Sequence, residues 1–517
     1  MGTEAVRSVR PGGMMVAAAV IALVTVARLC LPRDVNAQAR DARTMIGREV
    51  ALSHHLKDGD EFTLQIAALI EFGKQLFCAN WTDQDGGGRP LSRGSGEPLV
   101  HREQPLRGAR AFNRVSGPDA NSCQGCHNAP FGIAGGRGDF VTSVVELAER
   151  FDFVTFEQPA SSLMTVGNLR ATPGLFGAGY LEMLARQITR DLQRTRDSIQ
   201  PGQSKPLRSQ GIAFGTLSRR ADGTWNTRAV DGLPPQSSRT SSAAGKPSLV
   251  VRPWRQSASV VSLRDLTNTA FNQHLGIQTI ERFGVGTDPD DDGVVNEMTR
   301  ADVTAVTLFQ ATLPVPGRVI PNDPDVERAI AAGERVFEEI RCATCHVPAL
   351  RLTRGAWTFV ERVAVDLADA ALPRPRLAPS ADEPDAIVVP AYTDFKLHDI
   401  TDPADASAAE PLDMNQPATS PRLNAGNRRF LTKRLWGVGN QSPYFHHGLF
   451  TTMRQAVLAH AGEALDERRA FERLPKYDQD ALIEFLKSLQ VLPAGTSARV
   501  IDERGQPKIW PRPILSQ

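Results

Sequence analysis

Residues 121–130 read Asn-Ser-Cys-Gln-Gly-Cys-His-Asn-Ala-Pro, and residues 341–348 read Arg-Cys-Ala-Thr-Cys-His-Val-Pro. Both stretches contain Cys-x-x-Cys-His: Cys123, Cys126 and His127 in the first, Cys342, Cys345 and His346 in the second. That order is the attachment pattern of covalently bound haem c. Two thiols add to the two vinyl groups of the porphyrin, and the adjacent His is thereby set under the iron as its axial ligand. The chain is therefore expected to carry two haems, attached by Cys123, Cys126, Cys342 and Cys345 and ligated by His127 and His346. Structural zinc would leave both His unexplained, and a thioredoxin-type pair wants a βαβ context that neither flank supplies. Of the other cysteines, Cys30 lies in the N-terminal segment and Cys78 reads as a buried small hydrophobe.

Haem c is attached outside the cytoplasm in bacteria, and the N-terminus agrees. Arg7 and Arg10 give a basic start, an apolar run follows from about Met14 to Ala27, and Ala37-Gln38-Ala39 offers a small-x-small cleavage site. Residues 1–39 are thus expected to be a signal peptide for the periplasm, with an uncleaved anchor as the alternative. Lys and Arg number 59 against 58 Asp and Glu, which gives no argument for nucleic acid.

The fold expected is mainly α: two cytochrome c-like haem modules with long loops and a small β-hairpin insertion. The C-terminal module is the clearer and covers 322–495. Asp323 can cap a helix that Pro324 opens, and Val326, Ile330, Gly333, Phe337 and Ile340 recur at helical spacing. Gly333 would admit a crossing helix, for which Tyr477 to Leu489 is the candidate, since Leu482, Phe485, Leu486 and Leu489 form one stripe. The N-terminal module covers 45–315, with helices at 60–77, 179–193 and 300–313. Gly108-x3-Phe112 stands before Cys123 as Gly333-x3-Phe337 stands before Cys342. Residues 212–230 read as a hairpin around Asp222-Gly223, with Trp225 on the returning strand. Residues 314–324 form the linker, 372–390 a Pro-rich surface loop, and 496–517 a tail. The two modules look like a diverged duplication.

With both motifs placed, the chain resembles the bacterial di-haem cytochrome c peroxidase and MauG-like superfamily, in its di-haem oxidoreductase branch, some of which are labelled thiol oxidoreductases. Latex-cleaving haem oxygenases are more distant relatives. The resemblance runs over most of 65–495. It is carried by NSCQGCHNAP (121–130), RATPGLFGAGYLE (170–182), 251–276, YTDFKLHDI (392–400) and, most specifically, LWGVGNQSPYFHHGLFTTMRQAVLAHAGE (435–463). That last stretch looks like the family's Pro-Tyr-Phe-His-(Asp)-Gly signature followed by its distal-ligand helix.

The resemblance implies that the sixth ligand of the C-terminal haem is His460, with Met453 as the alternative. The family's distal His of the N-terminal haem is missing, since no His stands between His127 and His274. Either that iron is open or a non-His ligand such as Met164 or Met183 closes it. A peroxidatic site wants a general acid/base, for which Glu182 is the first candidate, with an exposed helix position as the alternative. Trp254 is a candidate cavity wall or electron relay, or simply a packed aromatic. His398 and Asp399 fall in a matched block without an assigned role, and one of His446 and His447 is expected to bond backbone or a haem propionate.

Asp288, Asp290 and Asp292-Gly293 imitate the start of a calcium loop, but Thr299 stands at position twelve and Glu297 comes two places early. The stretch reads either as a calcium site or as a solvated acidic turn.

The function expected is a peroxidase-type oxidoreductase. A small redox protein, a cytochrome or cupredoxin, would deliver electrons at the C-terminal haem, and a small oxidant would react at the N-terminal one. The alternatives are a non-catalytic electron-transfer cytochrome and an oxygenase acting on an organic substrate.

Overall fold

The computed structural model describes residues 45–88, 121–138, 143–147, 162, 167–240, 242, 245–401 and 427–511. The expected signal at 1–39, the Gly108–Phe112 stretch and Met164 lie outside the described residues. Among the described residues, no helix is long and apolar enough to cross a membrane.

Helix outweighs strand, 34% to 15%. The helices that matter here are α1 (Ile66–Cys78), α2 (Ala178–Asp197), α3 (Leu263–Leu275), α4 (Arg300–Ala311), α5 (Pro324–Glu339), α6 (Met453–Leu458), α7 (Leu465–Arg473) and α8 (Lys476–Ser488). Their starts follow from local chemistry. The Asp323 carboxylate accepts from the N–H groups of Asp325 and Val326 at the head of α5. Thr299 and Asp302 form a reciprocal capping box at the head of α4.

Two helix crossings organise the molecule. α5 crosses α8 at Gly333, where a Cβ would stand 1.9 Å from the Ala481 carbonyl oxygen. α1 crosses α4 at Gly73, where a Cβ would stand 1.9 Å from the Ala305 carbonyl oxygen. Only glycine permits either approach. One turn beyond each contact lie two phenylalanines. Phe77 and Phe309 have ring centroids 5.2 Å apart at 58°, and Phe337 and Phe485 have theirs 5.3 Å apart at 60°. Each of these rings is buried and contributes about 2–3 kcal/mol by leaving water. The duplication expected from the sequence is therefore visible in side-chain packing. Among the described residues, the N-terminal counterpart of Gly333–Phe337 is Gly73–Phe77, in a helix far ahead of Cys123.

The strands are short. β1 (Ser143–Leu147) pairs antiparallel with β2 (Gly167–Ala171). β3 (Ser204–Ser209), β4 (Ile212–Arg219) and β5 (Trp225–Asn226) make an antiparallel sheet. The expected hairpin is its β4–β5 half, with Gly223 at φ 85 in the turn and Trp225 on the return. β6 (Leu397–Asp399) pairs with β7 (Arg429–Leu431).

The chain halves and the cores do not coincide. The larger core runs from Leu56 to Val315 and then takes in residues such as Leu352, Phe359, Leu377, Val389 and Phe395. The expected surface loop at 372–390 is thus partly docked, with the Tyr180 hydroxyl donating to the Leu367 and Leu377 carbonyls. The smaller core holds Phe337, Tyr392, Met453, Phe471 and Phe485. The expected linker and tail also meet. Gly317–Val319 pairs with Val500–Ile501, and Lys508 Nζ lies 2.7 Å from a Glu327 carboxylate oxygen.

Candidate functional site

Each Cys-x-x-Cys-His segment opens on its own cavity. The first, of about 210 Å³, is lined by Cys123, Cys126 and His127 together with one face of α3: Leu266, Ala270 and His274. The second, of about 430 Å³, is lined by Cys342, Cys345 and His346, and by Met453, Val457 and His460 across from them. All four cysteines are free of disulfide bonds. Ser122 caps the first Cys-x-x-Cys turn by accepting from Gly125 N.

Both proximal imidazoles are oriented through Nδ1. His127 Nδ1 lies 3.0 Å from the Gly136 carbonyl oxygen, and His346 Nδ1 3.2 Å from that of Tyr392. Donation to those oxygens leaves Nε2 as the free lone pair facing the cavity. Burial pushes each imidazole down to about 4, so both are neutral, the form that binds a metal.

In the second cavity the ring of His460 lies 6.4 Å from that of His346, centroid to centroid, at 66°. Two imidazoles on opposite sides of one iron put their centroids roughly 6 Å apart, given metal–nitrogen bonds of about 2 Å. The pair therefore fits one metal between them. Burial lowers the His460 imidazole too. Met453 also reaches this cavity, from the first residue of α6.

The two cavities share a wall made by Ala171, Pro173, Gln256 and the segment Leu431–Arg434. β2 and β7 end at this wall, so the sheet pairs fix its course. The Arg434 guanidinium donates to the Gly174 carbonyl. The wall passes beside both histidines, since the Pro173 carbonyl lies near His127 and the Lys433 carbonyl near His346.

Lys433 and Arg434 line both cavities. The protein around them pushes Lys433 well down, helped by Arg434 and Arg137, and Arg434 down to about 10. Arg137, only 6% exposed, spends Nη1 on the Gln441 carbonyl, while its Nε and Nη2 have no partner among the described residues. Among the described residues none of these three cations meets a carboxylate. A group that brings apolar faces and its own carboxylates, as haem does, suits such a setting.

The other expected site residues divide. Trp254 is 3% exposed, lines the first cavity and lies beneath the Arg434 guanidinium at 5.9 Å. Glu182 does not belong to the site. Its fully buried carboxylate pairs with Arg186 and accepts from Leu263 N at 2.7 Å, which anchors the head of α3. Desolvation raises it, but it lines neither cavity. Met183 is a core residue on α2 and is likewise no ligand candidate. His398 bridges the carboxylates of Asp394 and Glu463, each at 2.8 Å, and lines the second cavity. Burial opposes its charge, yet those partners hold it protonated and raise it to about 12. His446 lines the same cavity stacked on Phe430, and His447 accepts from Leu449 N.

The residue that sequence reading passed over is His274. It was counted only as the end of a stretch without His. It lies in the last turn of α3, lines the first cavity and lowers the His127 imidazole by its charge. The signal was the stripe Leu266, Ala270, His274 at four-residue spacing, which sets the three on one helix face.

Residues 271–489 match the family described as "Di-haem oxidoreductase, putative peroxidase". The likeness rests on that segment. It contains His274, the whole Cys342–His346 motif and His460, while the Cys123–His127 motif lies ahead of it. Three solved structures are similar to this chain. One is the hydrazine synthase of Kuenenia stuttgartiensis, at 10% identity over 95% of this chain and 100% of that one, with a TM-score of 0.31. Another is a MauG-like protein associated with microbial copper homeostasis, at 16% identity over 53% and 79%, with a TM-score of 0.24. A third is the diheme peroxidase BthA of Burkholderia thailandensis, at 14% over 87% and 90%, with a TM-score of 0.27. Superpositions this loose carry no argument. No curated protein matches the chain.

Proposed function

We propose that the protein is an exported di-haem c-type oxidoreductase that reduces a small oxidant, with peroxide as the first candidate. The observation that carries this reading is the facing imidazole pair of the second cavity. His346 and His460 face each other at the spacing of a doubly ligated iron, which suits passing electrons. The first cavity carries His127 on one wall and His274 on the α3 face.

Haem c, held by Cys123, Cys126 and His127 and by Cys342, Cys345 and His346, would supply the redox chemistry. The chain does the rest. Trp254, Leu266 and Phe271 shield the first cavity from water. His274, with a lone pair available when neutral, is placed to hold or move a proton between the two oxygens of a peroxide. Lys433, Arg434 and Arg137 supply positive charge where the cavities meet. The segment from Pro173 and Gly174, hydrogen-bonded to Arg434 and so to its neighbour Lys433, runs between the two histidines. A small donor, a cytochrome or cupredoxin, would meet the C-terminal half, and the periplasm is the expected compartment.

A second reading is favoured by the same His274: as an axial ligand it would close the first iron and leave an electron-transfer cytochrome. The test is peroxide consumption coupled to oxidation of a reduced c-type cytochrome or cupredoxin, with electron paramagnetic resonance of the holoprotein alongside. The proposal expects turnover and one high-spin haem. Only low-spin haem in every redox state, with no turnover, would reject it.

A further inference from the structure

The loop between α3 and α4 holds a group of carboxylates that the haem chemistry does not use. One carboxylate oxygen each from Asp288, Asp290 and Asp292 lies within 4.8 Å of the others. Glu297 joins them. It is 3% exposed, and burial followed by the charges of Asp290, Asp292 and Asp288 pushes its carboxyl up to about 10, against one opposing hydrogen bond from Gln278. Asp290 is 8% exposed and is raised to about 6 by burial and then by Asp292. No lysine or arginine is among the main influences on Asp290, Asp292 or Glu297.

One atom points to what is needed there. Asp290 Oδ1 is buried and forms no hydrogen bond. The Gln278 amide stands beside it, but neither its nitrogen nor its oxygen reaches good hydrogen-bond geometry. A buried carboxylate oxygen without a donor, beside the carboxylates of Asp288 and Asp292, calls for a cation.

The geometry points to a calcium site formed by Asp288, Asp290 and Asp292, with the Glu297 carboxylate beside it. The donors are all hard oxygens, and a loop carrying several carboxylates suits calcium over the strict octahedron of magnesium. Asp288, Asp290 and Asp292 occupy alternate positions, and Gly293 at φ 88 makes the turn after them. Sequence spacing alone argues against the site, since the acidic residue comes two places early. The fold answers that objection. Asn296 adopts φ 55, and Glu297 comes within reach of the charges of Asp288, Asp290 and Asp292.

The site would tie the surroundings of the first cavity together. Glu297 Oε2 accepts from Gln278 N at 2.6 Å, four residues beyond His274. A Cβ on Gly86 would stand 2.2 Å from the Glu297 carboxyl carbon, and Gly88 N donates to the Leu275 carbonyl at the end of α3. The cation would thereby brace the turn that presents His274. This inference stands on the carboxylates alone, whatever the haem chemistry proves to be.

The experiment is calorimetric titration of chelator-treated, dialysed holoprotein with calcium chloride. The expected result is one calcium per chain, with magnesium weaker by about tenfold or more. Asp290→Asn and Glu297→Gln should each lose most of that binding while keeping the haem spectrum. Thermal melts give a second readout. With calcium the wild type should melt higher than either variant. In chelator the variants should match or exceed it, because each removes a charge from a crowded cluster. No calcium uptake by the wild type, equal binding of magnesium, or wild-type affinity in Asp290→Asn would overturn the assignment.

Discussion

The two halves of the molecule use one frame and finish it differently. In each, a glycine lets two helices touch, a phenylalanine pair packs beside the contact, and one of the pair lies near the proximal His. Phe77 lies 6.1 Å from His127 and Phe337 6.4 Å from His346, both at 47°. The second imidazole is where they part. His460 follows directly on α6, a short helix beside the signature loop, whereas His274 closes α3, a 13-residue helix. Packing around the attachment motif tolerates little change, because backbone meets backbone there. The opposite wall of each cavity is built by separate segments, and chemistry can diverge on it.

The largest effects should come from the shared frame. Gly73→Val and Gly333→Val each force a side chain into the facing carbonyl, and each should cost about 3 kcal/mol or more. Melting curves should show Gly333→Val acting first on the smaller core; equal loss in both cores would mean that the halves are not separate units. Next comes His398, a feature of the C-terminal half. His398→Leu leaves the buried Asp394 unpaired and should cost about 3 kcal/mol at pH 6. The folded imidazole titrates far above its ordinary 6.5. Its stabilisation is thus fully present below about pH 6.5 and is lost as pH rises towards the folded value. The penalty measured by denaturant melts should therefore be smaller at pH 9 than at pH 6. The smallest effect belongs to Glu182 in the N-terminal half. Glu182→Gln should cost about 2 kcal/mol by weakening the anchor at the head of α3. Peroxide turnover per folded molecule should stay unchanged, and a large fall in turnover would return Glu182 to the site.

Much of this could be read from the chain. Cys-x-x-Cys-His states its own chemistry, Asp323-Pro324 states a helix start, and the stripe on α8 states its buried face. The C-terminal frame was legible because Gly333, Phe337 and Cys342 stand close together. Its N-terminal copy was not, because the helix carrying Gly73 and Phe77 is separated from Cys123 by a long insertion. Glu182 misled because a buried carboxylate beside a Gly-rich block can serve a helix terminus as well as a proton. His274 was missed because proximity in the fold, not in the chain, brings it to His127. The docking of residues 350–395 on the larger core is a tertiary choice that no local pattern announces.

The central claim is that the two haem sites are unequal, and the spin state of each haem tests it most directly. Electron paramagnetic resonance of the ferric holoprotein, alongside His460→Ala and His274→Ala, separates the sites. The account predicts one low-spin and one high-spin haem in the wild type. His460→Ala should convert the low-spin signal to high-spin, and His274→Ala should leave both spin states unchanged. A wild type with two low-spin haems, or a His460→Ala variant that keeps its low-spin signal, would contradict it.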